Sequence, residues 1–242
     1  MTDLKPESFF KKYWKLLVGA ALLVLFLILI VLLKTVDVEP DPSTGKNIGL
    51  SSVNFAVRDA VGKHLRLYDL TRYLGYLAIL VAAGFAVWAG ARWAFSRFSF
   101  RSMGFDFLVL GALYLSAILF YVLFEIAVVN YRPLLLGGKA EASFPSSHTV
   151  LSIVVFVSAA RILYRRFAPR VHPILFSLPF YLLAAFAVVA RLISGVHWLT
   201  DIVGGCLLSI ALLFLFSFFS DLVPVDYDEK EEAEPETLPD GD

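Results

Sequence analysis

The chain has 242 residues, 59% of them hydrophobic and only 17% charged, with basic and acidic residues in equal number and a mean hydropathy of +0.75. That balance excludes an ordinary soluble domain of this length. The expected surroundings are a lipid bilayer, and no nucleic-acid partner is expected.

Residues 1–15 form a basic segment with Lys5, Lys11, Lys12 and Lys15, followed by an apolar run at 16–33. The run is longer than the core of a signal peptide, and Lys34-Thr35-Val36-Asp37 offers no small-residue cleavage pattern, so it reads as an uncleaved helix. Between 50 and 68 the apolar residues Leu50, Val53, Val57, Val61, Leu65 and Tyr68 recur at helical spacing with charges between them. This predicts an amphipathic segment, either packed on the bundle as a loop helix or guiding lipid.

Further apolar runs lie at 73–91, 107–124, 147–164, 173–190 and 202–220, each near the length that crosses about 30 Å of hydrocarbon. Arg161 interrupts the fourth, close enough to its end to snorkel. Without water to satisfy the backbone, each run must be helical. The expected fold is all-α: one polytopic bundle of six transmembrane helices over 16–220. Beyond it, 221–242 holds ten acids against one lysine and reads as a solvated, disordered tail. Cys206 is the single cysteine and lies inside the sixth run, so it says nothing about disulfides or compartment.

Basic residues cluster before the first run, between the second and third (Arg92, Arg97, Arg101) and between the fourth and fifth (Arg161, Arg165, Arg166, Arg170). The positive-inside rule then predicts a multi-pass protein of the cell membrane with both termini cytoplasmic. Lys46, Arg58, Lys63 and Arg66 in the first opposite loop weaken the asymmetry, but several acids accompany them. In this topology Arg132, His148 and His197 meet at the extracytoplasmic end although they come from different loops.

Two stretches carry chemistry. Asn130-Tyr131-Arg132-Pro133 leads into Pro145-Ser146-Ser147-His148, where a proline and two serines before an apolar helix make an N-terminal cap with free N–H groups suited to an anion. Each half also has a bland reading, an interfacial arginine before a helix stop and a plain helix start. In the second stretch Arg191 is followed by His197 and Asp201. If the sixth helix begins near His197, the histidine and the aspartate share a face, and the carboxylate holds one ring nitrogen while freeing the other. Gly204 and Gly205 then allow close helix packing below the site.

This constellation resembles the type 2 phosphatidic acid phosphatase superfamily, which includes the vanadium haloperoxidases. The family pattern is Lys-x6-Arg-Pro, Pro-Ser-Gly-His and Ser-Arg-x5-His-x3-Asp. Arg132-Pro133, then Pro145, Ser146 and His148, then Arg191, His197 and Asp201 match it in order, and the likeness spans the membrane core from about residue 73 to 220. Ser147 stands in place of glycine, Ala190 in place of serine, and Glu125 in place of the first-motif lysine. The resemblance implies a membrane phosphatase-like domain acting on a phosphorylated membrane lipid at the extracytoplasmic face, with neither cofactor nor metal. It implies that His197 attacks phosphorus and becomes a phosphohistidine, that Asp201 sets its tautomer, and that His148 serves as general acid and then base. Arg132 and Arg191 would clamp the phosphoryl oxygens, with Ser146 and Ser147 adding hydrogen bonds.

Glu125 lies seven residues before Arg132, so a continued helix would place both on one face. An ion pair of Glu125 with Arg132 or another site arginine is expected, with Lys139 in the next loop as a further phosphate-binding candidate. A carboxylate at this position equally suits a weak or inactive relative that binds lipid or a membrane partner. A metal-dependent hydrolase using His148, His197 and Asp201 is a third reading, and a transporter a fourth, though a transporter's site belongs nearer the midplane.

Overall fold

A computed structural model describes residues 9–98, 104–135, 138–167 and 172–222. The expectations for Lys5, Arg101, Arg170 and most of the acidic tail fall outside the described residues. Six helices are long and apolar enough to cross a membrane: α1 (Phe9–Thr35), α3 (Leu65–Phe95), α4 (Phe105–Ile126), α5 (Ser147–Phe167), α6 (Pro173–Ile193) and α7 (Leu199–Asp221). They occupy the six predicted runs and extend most of them at both ends. A seventh helix, α2 (Ser51–Val61), follows a two-strand hairpin of β1 (Glu39–Pro40) and β2 (Asn47–Ile48). The protein is an all-α, multi-pass membrane bundle.

α5 and α7 are the inner helices. About half of their membrane-length stretches is buried, 56% and 50%, against 17–22% for the other four. Shielding by protein lets α5 carry polar groups, and Ser158 Oγ meets the Tyr114 hydroxyl of α4 at 3.2 Å. Gly205 on α7 makes the contact between them close, since a Cβ there would lie 2.9 Å from Thr149 Cγ2 of α5. Gly204 lies against the Phe144 ring, itself stacked on Phe26 of α1. The two glycines thus do what close packing below the site requires.

At the far end of α5, about 27 Å from His148 by helical rise, charges tie the bundle together. Arg166 donates from Nη2 and Nε to the Asp106 carboxylate of α4, at 2.7 and 3.1 Å. Arg165 Nη1 donates to Ser220 at the end of α7, and Lys15 and Arg161 both pair with Asp221.

The amphipathic stretch 50–68 is not one helix. α2 ends at Val61, Gly62 takes φ 75°, and Leu65 and Tyr68 belong to α3. Two turns force the break: His64 N donates to Ser194 O at 3.1 Å, and a Cβ on Gly195 would lie 2.2 Å from Gly62 O. Gly195 also has φ +71°, so this crossing of chains accepts only glycine. α2 is packed on the end of the bundle. Its buried Asn54 donates to Thr200 Oγ1 and Gly49 O and accepts from Thr200 N, while Phe55 and Arg58 lie over the Trp198 ring.

Candidate active site

The site is assembled at the start of α7. Helix α7 begins at Leu199 rather than at His197, because Trp198 is extended (φ −74°, ψ 155°) and serves as the N-cap. The expected pairing survives this correction. Asp201 Oδ2 accepts from Trp198 N at 3.0 Å and from His197 Nδ1 at 3.3 Å, and Oδ1 faces Asn130 Nδ2 at 3.5 Å. A buried carboxylate in the first turn is favoured by the helix N-terminus and its free amides. The indole of Trp198 donates to Tyr131 O at 2.7 Å, locking the 127–135 loop to the same turn.

With Nδ1–H given to Asp201, His197 Nε2 carries its lone pair toward two cations. Arg132 Nη1 and Arg191 Nη2 each approach it at 3.3 Å. Arg191 Nη2 also lies 3.3 Å from His148 Nδ1, so one guanidinium bridges both imidazoles. Arg191 is 1% exposed, donates from Nη1 to Thr71 Oγ1 at 3.0 Å, and sits over the Tyr68 ring. No carboxylate pairs with it among the described residues. Its chemical complement is therefore an anion entering the cluster. Burial, and then the charges of Arg132 and Arg191, hold the His197 imidazole well below its usual pKa, which keeps Nε2 unprotonated.

The expected Glu125–Arg132 pair is not formed. Helix α4 stops at Ile126, so the two-turn relation between 125 and 132 does not exist. The loop instead turns back on itself: Tyr131 bridges to Ala142, Arg132 N donates to Glu141 O at 3.0 Å, and Arg132 Nε lies 3.2 Å from Glu141 Oε2. Glu141 takes the role assigned to Glu125. Glu125 remains exposed, with no ion pair or hydrogen bond among the described residues, yet it lines the same cavity as Arg132, His148 and His197. That cavity, about 520 Å³, runs from the cluster down between α3, α4 and α5.

Ser147 lines the cavity. Ser146 lies behind it, fully buried, with its hydroxyl accepting from Thr149 Oγ1 at 3.1 Å and its N–H donating to Asp201 O. Lys139 is exposed on the loop, away from the cavity lining. The structure adds residues that the motifs leave out. Tyr68, Thr71 and Gly75 form one face of α3, and a Cβ on Gly75 would meet His148 Cδ2 at 2.9 Å, so the glycine leaves room for the ring. Their spacing at the end of an apolar run is a signal the sequence does contain. Asn130 and Glu141 carry none, because their partners are set by the loop's path.

The sequence model of the PAP2 superfamily matches residues 76–222. The chain belongs to this superfamily. The PAP2 assignment covers Arg132, His148, Arg191, His197 and Asp201, and leaves Tyr68, Thr71 and α2 outside. Among solved structures, the fold is similar to the crystal structure of a transmembrane PAP2 type phosphatidylglycerolphosphate phosphatase from Bacillus subtilis. The TM-score is 0.61 and the identity 20%, over 85% of this chain and 97% of that one. No curated protein sequence matches significantly.

Proposed function

We propose that this PAP2 protein is an integral-membrane phosphatase that dephosphorylates a lipid phosphate or diphosphate at the extracytoplasmic face through a phosphohistidine. The observation that carries this reading is the buried Arg191 guanidinium, paired with no carboxylate among the described residues and aimed at the free nitrogens of two histidines. Family membership and the phosphatase activity named for the Bacillus subtilis protein support the reaction class.

A phosphoryl group bound between Arg132 and Arg191 takes over the guanidinium contacts now made to the imidazoles. His197 Nε2 then forms a bond to phosphorus as the bond to the leaving oxygen breaks, and Asp201 holds the positive ring in place. His148, protonated in the substrate complex, gives its proton to the departing lipid oxygen. In the second half it accepts a proton from water, whose oxygen bonds to phosphorus and releases His197. Both arginines act on charge that grows in the transition state. The basic residues at the far end of the bundle support a cytoplasmic assignment for that end, which puts the cluster outside.

The test is phosphate release by purified protein from phosphatidic acid, phosphatidylglycerol phosphate, undecaprenyl diphosphate and lipid A phosphate, with rapid quenching to trap acid-labile phosphate on the protein. His197→Ala should abolish both, a loss of at least about a thousandfold. Normal phosphoenzyme in that variant would refute the assignment. The second reading, a catalytically weak lipid-binding member, is favoured by one observation, the Glu125 carboxylate in the cavity. It predicts lipid binding without phosphate release, and near-zero activity that rises in Glu125→Lys.

A further inference from the structure

Trp198 joins two turns of the candidate site and is itself held from outside it. It follows His197 directly, and its backbone N–H goes to Asp201 Oδ2, the oxygen that also takes His197 Nδ1. Its indole N–H goes to Tyr131 O, the carbonyl one residue before Arg132. The ring thus ties together the two turns that bring Arg132 Nη1 to 3.3 Å from His197 Nε2. Neither Arg132 nor His197 lies in a helix, so no helical ladder fixes that distance.

Arg58 of α2 supplies the outer support. Its guanidinium lies over the indole at 5.4 Å and over the Phe55 ring at 4.9 Å. Asp41 Oδ1 takes its Nη1 at 3.0 Å and Asp59 Oδ1 its Nε at 3.1 Å, so two carboxylates fix the plane of the group against the ring. Asp41 is fully buried in the turn of the hairpin, where Ser43 Oγ and Thr44 Oγ1 lie 2.6 and 2.8 Å from its other oxygen. The same hairpin reaches the Arg132 turn, with Lys46 at 5.0 Å over the Tyr131 ring and Ser43 Oγ at 3.2 Å from Pro133 O. Neither Arg58 nor Trp198 lines the cavity, so both bear on the site from behind.

We propose that Arg58, fixed by Asp41, is a positioning residue: by stacking on Trp198 it holds Arg132 at the distance from His197 that aligns Nε2 with a bound phosphoryl group. This rests on the phosphatase reading and adds to it a device from a segment outside the family match. A lysine at this place would still pair with Asp41 but would present no plane to the indole. Loss of the stack leaves Arg132 and Arg191 present to bind the phosphoryl group, so the damage falls on alignment and hence on kcat.

The experiment compares full-length wild type, Arg58→Lys and Arg58→Gln in detergent. It reads phosphate release from the fastest lipid of the panel above, apparent Tm, and binding of inorganic phosphate against orthovanadate, which takes a fifth ligand as phosphorus does in the transition state. Arg58→Lys should keep the wild-type Tm yet lose about tenfold in kcat, with KM changed by less than about twofold. Orthovanadate should bind it about tenfold more weakly, and inorganic phosphate as before. Arg58→Gln should show the same kinetic loss with a lower Tm, because Asp41 is left buried without its cation; if that variant does not fold, Arg58→Lys carries the test alone. Full kcat in Arg58→Lys, or a loss seen only where the variant has begun to melt, would overturn the proposal while leaving the phosphatase reading intact. If the wild type releases no phosphate, the phosphatase reading fails for these lipids and orthovanadate decides the positioning role, which equal affinity in wild type and Arg58→Lys would overturn.

Discussion

His197 has its two ring nitrogens committed to opposite partners, Asp201 on one side and two guanidinium groups on the other. The depressed His197 pKa has a consequence for stability. The unfolded chain binds a proton near the ordinary imidazole value of about 6.5, and the folded protein resists it, so stability is lost as pH falls below that value. The apparent Tm in detergent should fall from pH 7.5 to 5.5, and fall less in His197→Gln; an identical fall in the variant would show that His197 does not contribute. Asp41 contributes stability that is present above the ordinary carboxylate value of 3.8 and is lost as pH falls below it. Burial raises its pKa, but hydrogen bonds from Ser43 and Thr44 and the charge of Arg58 outweigh this and hold it low. A metal-dependent reaction is poorly served by this geometry, since the nitrogens a metal would use face guanidinium groups. Chelation with EDTA should leave turnover intact, and full inactivation restored by zinc or magnesium would contradict the arginine mechanism.

Helices position these groups through close approaches rather than through large apolar faces alone. At Gly205 a larger side chain would push against Thr149 and drive apart the N-terminal turns of α5 and α7, which carry His148 and Asp201. Gly205→Val should destabilise the protein by about 1–3 kcal/mol and lower kcat/KM by about a hundredfold through misplacement. A thermal scan and lipid assay on the same preparation check both, and full activity in a destabilised variant would show that the α5–α7 spacing does not set the site. The short helix α2 acts through Asn54, whose side chain satisfies Thr200 and Gly49 in a buried setting. Asn54→Ala leaves those groups without partners and should cost about 1–3 kcal/mol, read as a lower apparent Tm.

At the scale of the molecule, the bundle has two chemically different ends. One gathers Arg161, Arg165 and Arg166 with Lys15, Asp106 and Asp221; the other gathers the cavity, the hairpin and α2. Lys139 is exposed at the second end, so a Lys139→Cys variant in a Cys206→Ser background should react with an impermeant thiol reagent added to intact cells. Labelling only after lysis would turn the proposed orientation round.

Six spans, their order and the five residues Arg132, His148, Arg191, His197 and Asp201 are legible in the sequence because bilayer thickness sets run length and local spacing sets the motifs. His197 and Asp201 are four residues apart, and the turn at the α7 N-cap brings them together although His197 stands just before the helix, which begins at Leu199. The partners of Glu125 and Arg132 are a different kind of question. Local spacing suggests a shared helix face, but α4 ends at Ile126 and the returning loop delivers Glu141 instead. Thr71 reaches Arg191 across 120 residues and Asn130 reaches Asp201 across 71, distances at which periodicity carries no information. The break at Gly62 is likewise set by contact with Gly195, a steric fact between two turns remote in sequence. The sequence by itself determined the spans and the residues that cluster at the candidate site, which depend on hydrocarbon thickness and neighbours one turn away. Only the tertiary structure decided which charges pair and which, like Glu125, are left facing the cavity, because pairing depends on where loops return.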